Sequence, residues 1–252
     1  MSGDSLGDRM KRYEVVTQTS LMRRTPVIIR IDGKAFHTFT KCLPDYDETL
    51  KAGPYSVKMY ETMAHTCAVL FTKVQNVQFI YSQSDEISIL LKDWDTHETQ
   101  QWFDGNVQKL TSVSASIATA AFNFFFSTVR EPNWVGDLAF FDARVFNVPE
   151  SEVVNYFIWR QQDASRNSIQ MFGRHYFSHK QMHGKNVNQI QDMLMAEHRF
   201  NWNDAPTWMK RGFAVYQNPD TFSSIAPYKV DSDIPLFTAD REFIGKYLEI
   251  KE

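Results

Sequence analysis

The chain has 252 residues, 43% of them apolar and 14% aromatic, ample for one large domain or a domain with a substantial annex, and this excludes disorder as the main state. A net charge of −3 argues against a nucleic-acid binder that works by bulk electrostatics. With Cys42 and Cys67 as the only cysteines, no evident run of about 18–20 uncharged apolar residues and no signal-peptide stretch in MSGDSLGDRMKRYE, the expectation is a cytoplasmic protein without disulfides, a cysteine zinc cluster or membrane contact.

In chain order, the β-branched run PVIIRI at 26–31 reads as a buried strand running into a turn at Asp32-Gly33. A loop rich in Pro, Asp and Gly, residues 43–54, leads to apolar residues at helical spacing over 55–73. Residues 76–82 and 86–92 read as two strands, joined by Gln83-Ser84-Asp85 as an antiparallel hairpin. A second helical period covers 104–128, and AFFDARVFNV at 139–148 alternates like a half-buried strand. The order β-α-β-β-α-β predicts an α+β, ferredoxin-like (split β-α-β) domain of the kind used as a polymerase palm, spanning 1–149, with both helices on one sheet face and the other face free for a ligand. Residues 150–252 read as a helical annex packed on the palm, with helices over 150–171 and 186–198, a last strand at 211–216 and an irregular tail.

The topology brings Asp32-Gly33, after the first strand, beside Asp85-Glu86 in the central hairpin. Carboxylates held close repel one another, and a divalent cation relieves the repulsion. A hard ion such as Mg²⁺ takes one or two carboxylates plus substrate phosphates, and two such ions would clamp both oxygens of a phosphoryl transfer. A glycine at 33 would let backbone approach metal and phosphate. Spacing alone leaves a solvated turn as an equal reading, since Asp-Gly is a common turn dipeptide. The basic clusters Arg9-Lys11-Arg12, Arg23-Arg24, Lys180-Lys185 and Lys210-Arg211 each read more readily as solvated faces than as phosphate contacts. His179 and His183 could bind zinc from a helix, but with no third ligand nearby, surface or RNA contact is the better reading.

The neighbours of these acids make the signal specific. RIDGKAFHTF (30–39), YSQSDEISI (81–89), FDARVF (141–146), WRQQDASRNS (159–168) and DIPLFTADREFI (233–244) resemble, in order, the signature segments of the tRNA(His) guanylyltransferase superfamily, the 3′–5′ polymerases. The resemblance implies an enzyme that adds nucleotides to the 5′ end of tRNA, with tRNA, ATP or GTP and two Mg²⁺ ions as its partners. It implies catalytic Asp32, Asp85 and Glu86, with Asp32, the Gly33 carbonyl and Asp85 holding the metals. Lys34, Ala35, Phe36, His37, Ser84 and Lys109 would border the nucleotide, its base or sugar packing on Phe36. Lys41, Arg144, Arg160, Asn167, Lys180 and Lys185 would touch the tRNA end or a triphosphate, while Arg160 and Asp163 could equally form a structural ion pair. Family members assemble as dimers of dimers, which implies a homotetramer.

Ser165-Arg166-Asn167-Ser168 stands where eukaryotic guanylate-adding members carry a His-Ile-Asn-Asn motif. The chain in this respect resembles bacterial, archaeal and phage-type members, associated with templated repair of 5′-truncated tRNAs. Two other classes stay open at this stage: a nucleotidyl cyclase-like palm enzyme, and a nucleotide- or RNA-binding module with a merely structural acidic pair.

Overall fold

The computed structural model describes residues 5–40, 54–129, 138–218 and 227–249. In chain order the elements are α1 Leu6–Val15, β1 Val27–Gly33, α2 Phe36–Phe39, α3 Val57–Lys73, β2 Val77–Gln83, β3 Glu86–Leu91, α4 Val107–Val129, β4 Phe141–Asn147, α5 Glu150–Tyr176, α6 His179–Met182, α7 Val187–His198, α8 Thr207–Arg211, β5 Phe213–Gln217, β6 Tyr228–Asp231 and α9 Glu242–Gly245. The fold class is α+β. From β1 to β4 the order is the expected β-α-β-β-α-β, and the strands lie antiparallel as β4-β1-β3-β2, which is the ferredoxin-like arrangement. β5 then pairs with β2 and β6 with β5, so the chain's last third extends the same sheet to six strands.

Local chemistry explains the main boundaries. The Ser56 hydroxyl accepts from the Met59 N–H and starts α3, and an Asn186–Gln189 capping box starts α7. α5 runs five residues past the expected 171 to Tyr176. Its second half packs Ile169 and Phe172 against Ile190 and Leu194 of α7 and Met209 of α8, so burial prolongs it. The first helix, α1, had no reading in the sequence: it is capped by Ser5 and buries none of its residues.

Strand alternation assigns the layers. Val27, Ile29 and Ile31 of β1 face Met63, Cys67 and Leu70 of α3 and Leu110, Ala118 and Phe122 of α4. Ile28 of β1, Phe79 of β2 and Leu90 of β3 face the other way, beneath Val153, Tyr156 and Phe157 of α5 and Ile234, Phe237 and Ile244 of the C-terminal segment. This corrects the expectation of a free second face. A strand as continuously apolar as PVIIRI needs cover on both sides, and α5 with the tail supplies the second cover. Burying one such ring as Phe157 is worth roughly 2–3 kcal/mol.

α4 also departs from expectation. Over Val107–Thr128 it is long and apolar enough to cross a membrane by length and composition alone. Its Ser and Thr residues broke the apolar run to the eye. In the fold its Leu110, Ala118, Phe122 and Phe126 are buried against the sheet and α3.

Candidate active site

The alternation that turns Ile28 toward α5 does the same for Arg30 and Asp32. Asp32 lies opposite Glu86 on β3 and opposite Asp142 on β4, while Arg30 lies opposite Ser88 and Arg144. Two rows therefore cross three strands on one face, the first of carboxylates and the next largely of guanidinium groups. Arg30 reaches both kinds of neighbour, with Nη2 3.7 Å from Asp32 and Nε 3.7 Å from Glu86. Arg144 is exposed and stands 3.7 Å from Asp142.

Asp85 sits one residue before Glu86, in the two-residue loop between Gln83 and Glu86 that the sequence read as a hairpin. Ser84 precedes it with φ 51°, the positive value such loops require at their first central position. Burial above all, with the charge of Asp32 adding to it, raises the Asp85 carboxyl to about 6, against the pull of a backbone hydrogen bond and of the Ser84 hydroxyl. Asp32 and Asp85 thus sense each other across the β1–β3 pair, as the sequence expected.

That arrangement bears on whether the residues suit a divalent cation. Two carboxylates and the Gly33 carbonyl make a hard-oxygen donor set, and a carboxylate pair that resists simultaneous ionisation is relieved by a cation. Among the described residues no group of three or more His, Cys, Asp or Glu forms a complete cage. Phosphate and water oxygens would have to fill the shell, which is how Mg²⁺ sites are ordinarily built. The residues fit. His179 and His183, one turn apart with ring centroids 6.2 Å from each other, gain no third ligand among the described residues.

Glu86 behaves differently from its neighbour. Arg160 donates from Nε and Nη2 to Glu86 Oε1 and Oε2 at 2.6 and 2.7 Å, and from Nη2 to Asp163 at 3.1 Å. Burial still holds the Glu86 carboxyl above its ordinary value, against the pull of Arg160. Each Glu86 oxygen accepts one hydrogen bond from Arg160, so the carboxylate is tied into a buried ion pair rather than standing free beside Asp32. The Arg160 guanidinium lies inside the molecule, where no tRNA phosphate reaches it, and the ion-pair alternative describes it.

The loop after β1 brings a second correction. Phe36 is buried, its ring within 5.0–5.3 Å of those of Phe39, Phe122 and Phe141, and cannot support a base. It also supplies a reason for Gly33: a Cβ there would meet the Phe36 ring at 2.3 Å. Lys34, Ala35 and His37 are exposed around it, Ala35 with φ 55°. The Lys34 N–H is taken by the Phe140 carbonyl at 2.8 Å, while the first N–H groups of α2 have no acceptor within their own helix.

Lys109 lies elsewhere. Its neighbour Leu110 lines one small cavity with Val27 and Leu91, at the opposite end of β1 from Asp32. Five strand positions separate the two ends, roughly 16 Å at about 3.3 Å per residue. Within one chain Lys109 is not beside the acidic pair, and its ammonium rests over the Phe103 ring instead. Asn167 is exposed two turns along α5 from Arg160, and Lys180 and Lys185 are exposed around α6. Lys41 lies outside the described residues. Sequence reasoning missed Arg30, Asp142 and Phe140; the period of two in RID and FFDAR would have placed all three on the face of Asp32.

Comparisons with known proteins agree with this geometry. Residues 7–149 match the family model for tRNA(His) guanylyltransferase. The fold superposes on a bacterial tRNA(His) guanylyltransferase (Thg1)-like protein in complex with ATP at TM-score 0.88 and 42% identity, covering 98% of this chain and 100% of that one. A bacterial protein of the same description in complex with GTP gives 0.82 and 40%, covering 97% and 99%. The tRNA(His) guanylyltransferase of Schizosaccharomyces pombe is 25% identical over 228 residues, 83% of this chain and 79% of that protein. A family match across more than half the sequence, with a nearly full-length structural likeness beside it, establishes that the chain belongs to the tRNA(His) guanylyltransferase family.

Proposed function

We propose that this chain, a tRNA nucleotidyltransferase by its family, repairs 5′-truncated tRNA by adding nucleotides in the 3′–5′ direction, each chosen by pairing with the opposing strand. The observation that carries the reading is the juxtaposition of Asp32 and Asp85 at the end of the sheet where β1 and β3 are paired, with Arg30 and Arg144 in the next row. The nucleotide complexes of the bacterial relatives support ATP and GTP as its substrates.

In the first step the tRNA 5′-monophosphate attacks the α-phosphorus of ATP, releasing pyrophosphate and leaving an adenylylated end. In the second, the 3′-hydroxyl of the incoming nucleoside triphosphate attacks that activated phosphorus and displaces AMP. Asp32, the Gly33 carbonyl and Asp85 would hold two Mg²⁺ ions, which lower the effective pKa of the attacking hydroxyl and neutralise charge on the leaving group. Arg144, exposed beside Asp142, would receive a phosphate by charge-assisted hydrogen bonds. Arg30 offsets the negative row from within the sheet. Positioning and electrostatics then carry the chemistry, and Watson–Crick pairing rather than a protein contact selects the base. A homotetramer, a cytoplasmic location and a boundary between palm and annex at residue 149 belong to the same reading.

The test is extension of a 5′-monophosphorylated tRNA lacking its first nucleotide, with ATP, Mg²⁺ and each nucleoside triphosphate in turn. Addition only of the nucleotide that pairs with the opposing base is expected, falling at least about 1,000-fold in Asp85→Ala, since ion-held charge stabilisation is worth several kcal/mol. Addition of G whatever the opposing base would replace templated repair by guanylate addition to tRNA(His). A cyclic product from ATP or GTP alone would make the chain a cyclase, and activities untouched by Asp85→Ala would reduce the acidic pair to structure.

A further inference from the structure

Phe36 is enclosed, yet an exposed aromatic ring does stand at the acidic end of the sheet. Phe140 leads into β4, its carbonyl accepts from the Lys34 N–H, and the residue is 52% exposed. Two residues on, by strand alternation on the same side, comes Asp142, the partner of Asp32 in register. The segment is held firmly. Asn123 of α4 donates to the Ala139 carbonyl at 2.8 Å and accepts from its N–H at 3.0 Å, and the Thr119 hydroxyl accepts from the Phe141 N–H at 3.2 Å. Ala139 and Phe141 point inward, while Phe140 is turned out on a backbone tied down on both sides.

Resting on the nucleotidyltransferase reading, we propose that Phe140 is the surface against which the base of the incoming nucleotide stacks. In a templated addition one face of that base lies on the last base pair of the stem, and its other face has no partner within the RNA. An aromatic ring fixed beside the carboxylate row, with Lys34 and Arg144 at hand for phosphates, covers that second face. Every base presents a π-face, so such a contact holds the nucleotide without choosing it and leaves the choice to pairing.

Phe140→Ala is expected to raise KM for all four nucleoside triphosphates by between about 5- and 100-fold, the span set by base–aromatic stacking, with kcat changed less than about 3-fold. Phe140→Trp should keep KM within about 3-fold of the unsubstituted chain. Equilibrium binding without tRNA of CTP, a nucleotide the activation step does not use, supplies a readout independent of turnover and should weaken in parallel. If the chain extends no tRNA, the functional reading fails while weakened CTP binding by Phe140→Ala still upholds the stacking contact. Unchanged KM and CTP affinity would overturn it. So would a rise confined to KM for tRNA, which would assign Phe140 to the RNA end, or a change only in sedimentation, which would assign it to a contact between copies.

Discussion

The two ends of the sheet face under α5 are built from opposite materials. Where β1 begins, Ile28, Phe79 and Leu90 lie beneath Tyr156, Phe157 and Ile244, an apolar seal with its polar groups answered, as where the Ser88 and Tyr156 hydroxyls bond at 2.9 Å. Where β1 ends, Asp32, Asp142 and Glu86 form a row, with the Asp85 carboxyl raised to about 6 beside them. The first end is sealed by apolar contact and the second concentrates like charge. Like charge is kept where a cation can relieve it, while the cover that makes this tolerable is anchored elsewhere.

Arg160 is the seam between the two ends, and removing it should produce the largest effect on stability. Arg160→Met leaves Glu86 buried without its partner and should cost about 3–5 kcal/mol in chemical denaturation. Adding Glu86→Met should recover most of the loss. A single variant as stable as the parent would mean that α5 is held by its apolar half alone.

Asp85 should behave in the opposite sense. Its carboxyl is raised from 3.8 to about 6, so the native state binds that proton more tightly than the unfolded chain does. The associated stability is present below about pH 4 and is lost as pH rises through 6. Without divalent cations, Asp85→Asn is therefore expected to exceed the parent by about 2 kcal/mol at pH 8, after discounting for partial solvent contact, and to match it near pH 4. Added Mg²⁺ should narrow the gap at pH 8 by stabilising the parent alone. A difference independent of pH would show that neither burial nor the charge of Asp32 disfavours the ionised Asp85 carboxyl there.

The smallest expected effect is at Ala35. A left-handed alanine costs on the order of 1 kcal/mol relative to glycine, so Ala35→Gly should stabilise the chain by about that amount in thermal denaturation. Destabilisation instead would mean that the Ala35 methyl group contributes more than the backbone conformation costs.

Much of this contrast was legible in the sequence. The periods of PVIIRI, NVQFIYS and EISILLK gave the strand order that sets Asp32 beside Asp85, and the signature segments pointed to the family. What stayed hidden depended on tertiary partners. RIDGKAFHTF does not say whether Phe36 points to solvent or into the cluster with Phe122 and Phe141, because both settings present the same residues in sequence. Arg160 and Glu86 are 74 residues apart, and only the crossing of α5 over β3 turns two charges into a buried pair. α4 concealed its apolar character behind serines and threonines, several of whose hydroxyls bond carbonyls of their own helix, as Ser114 does to Leu110 at 2.6 Å.

The cover on both faces of the sheet also fixes a direction of approach. With α3 and α4 beneath and α5 with the tail above, Asp32 is partly exposed between two covered faces, and the exposed Phe140 and Asp142 mark the β4 edge beside it. On the proposed function, a tRNA would reach these carboxylates with its 5′ terminus rather than with the flank of its stem.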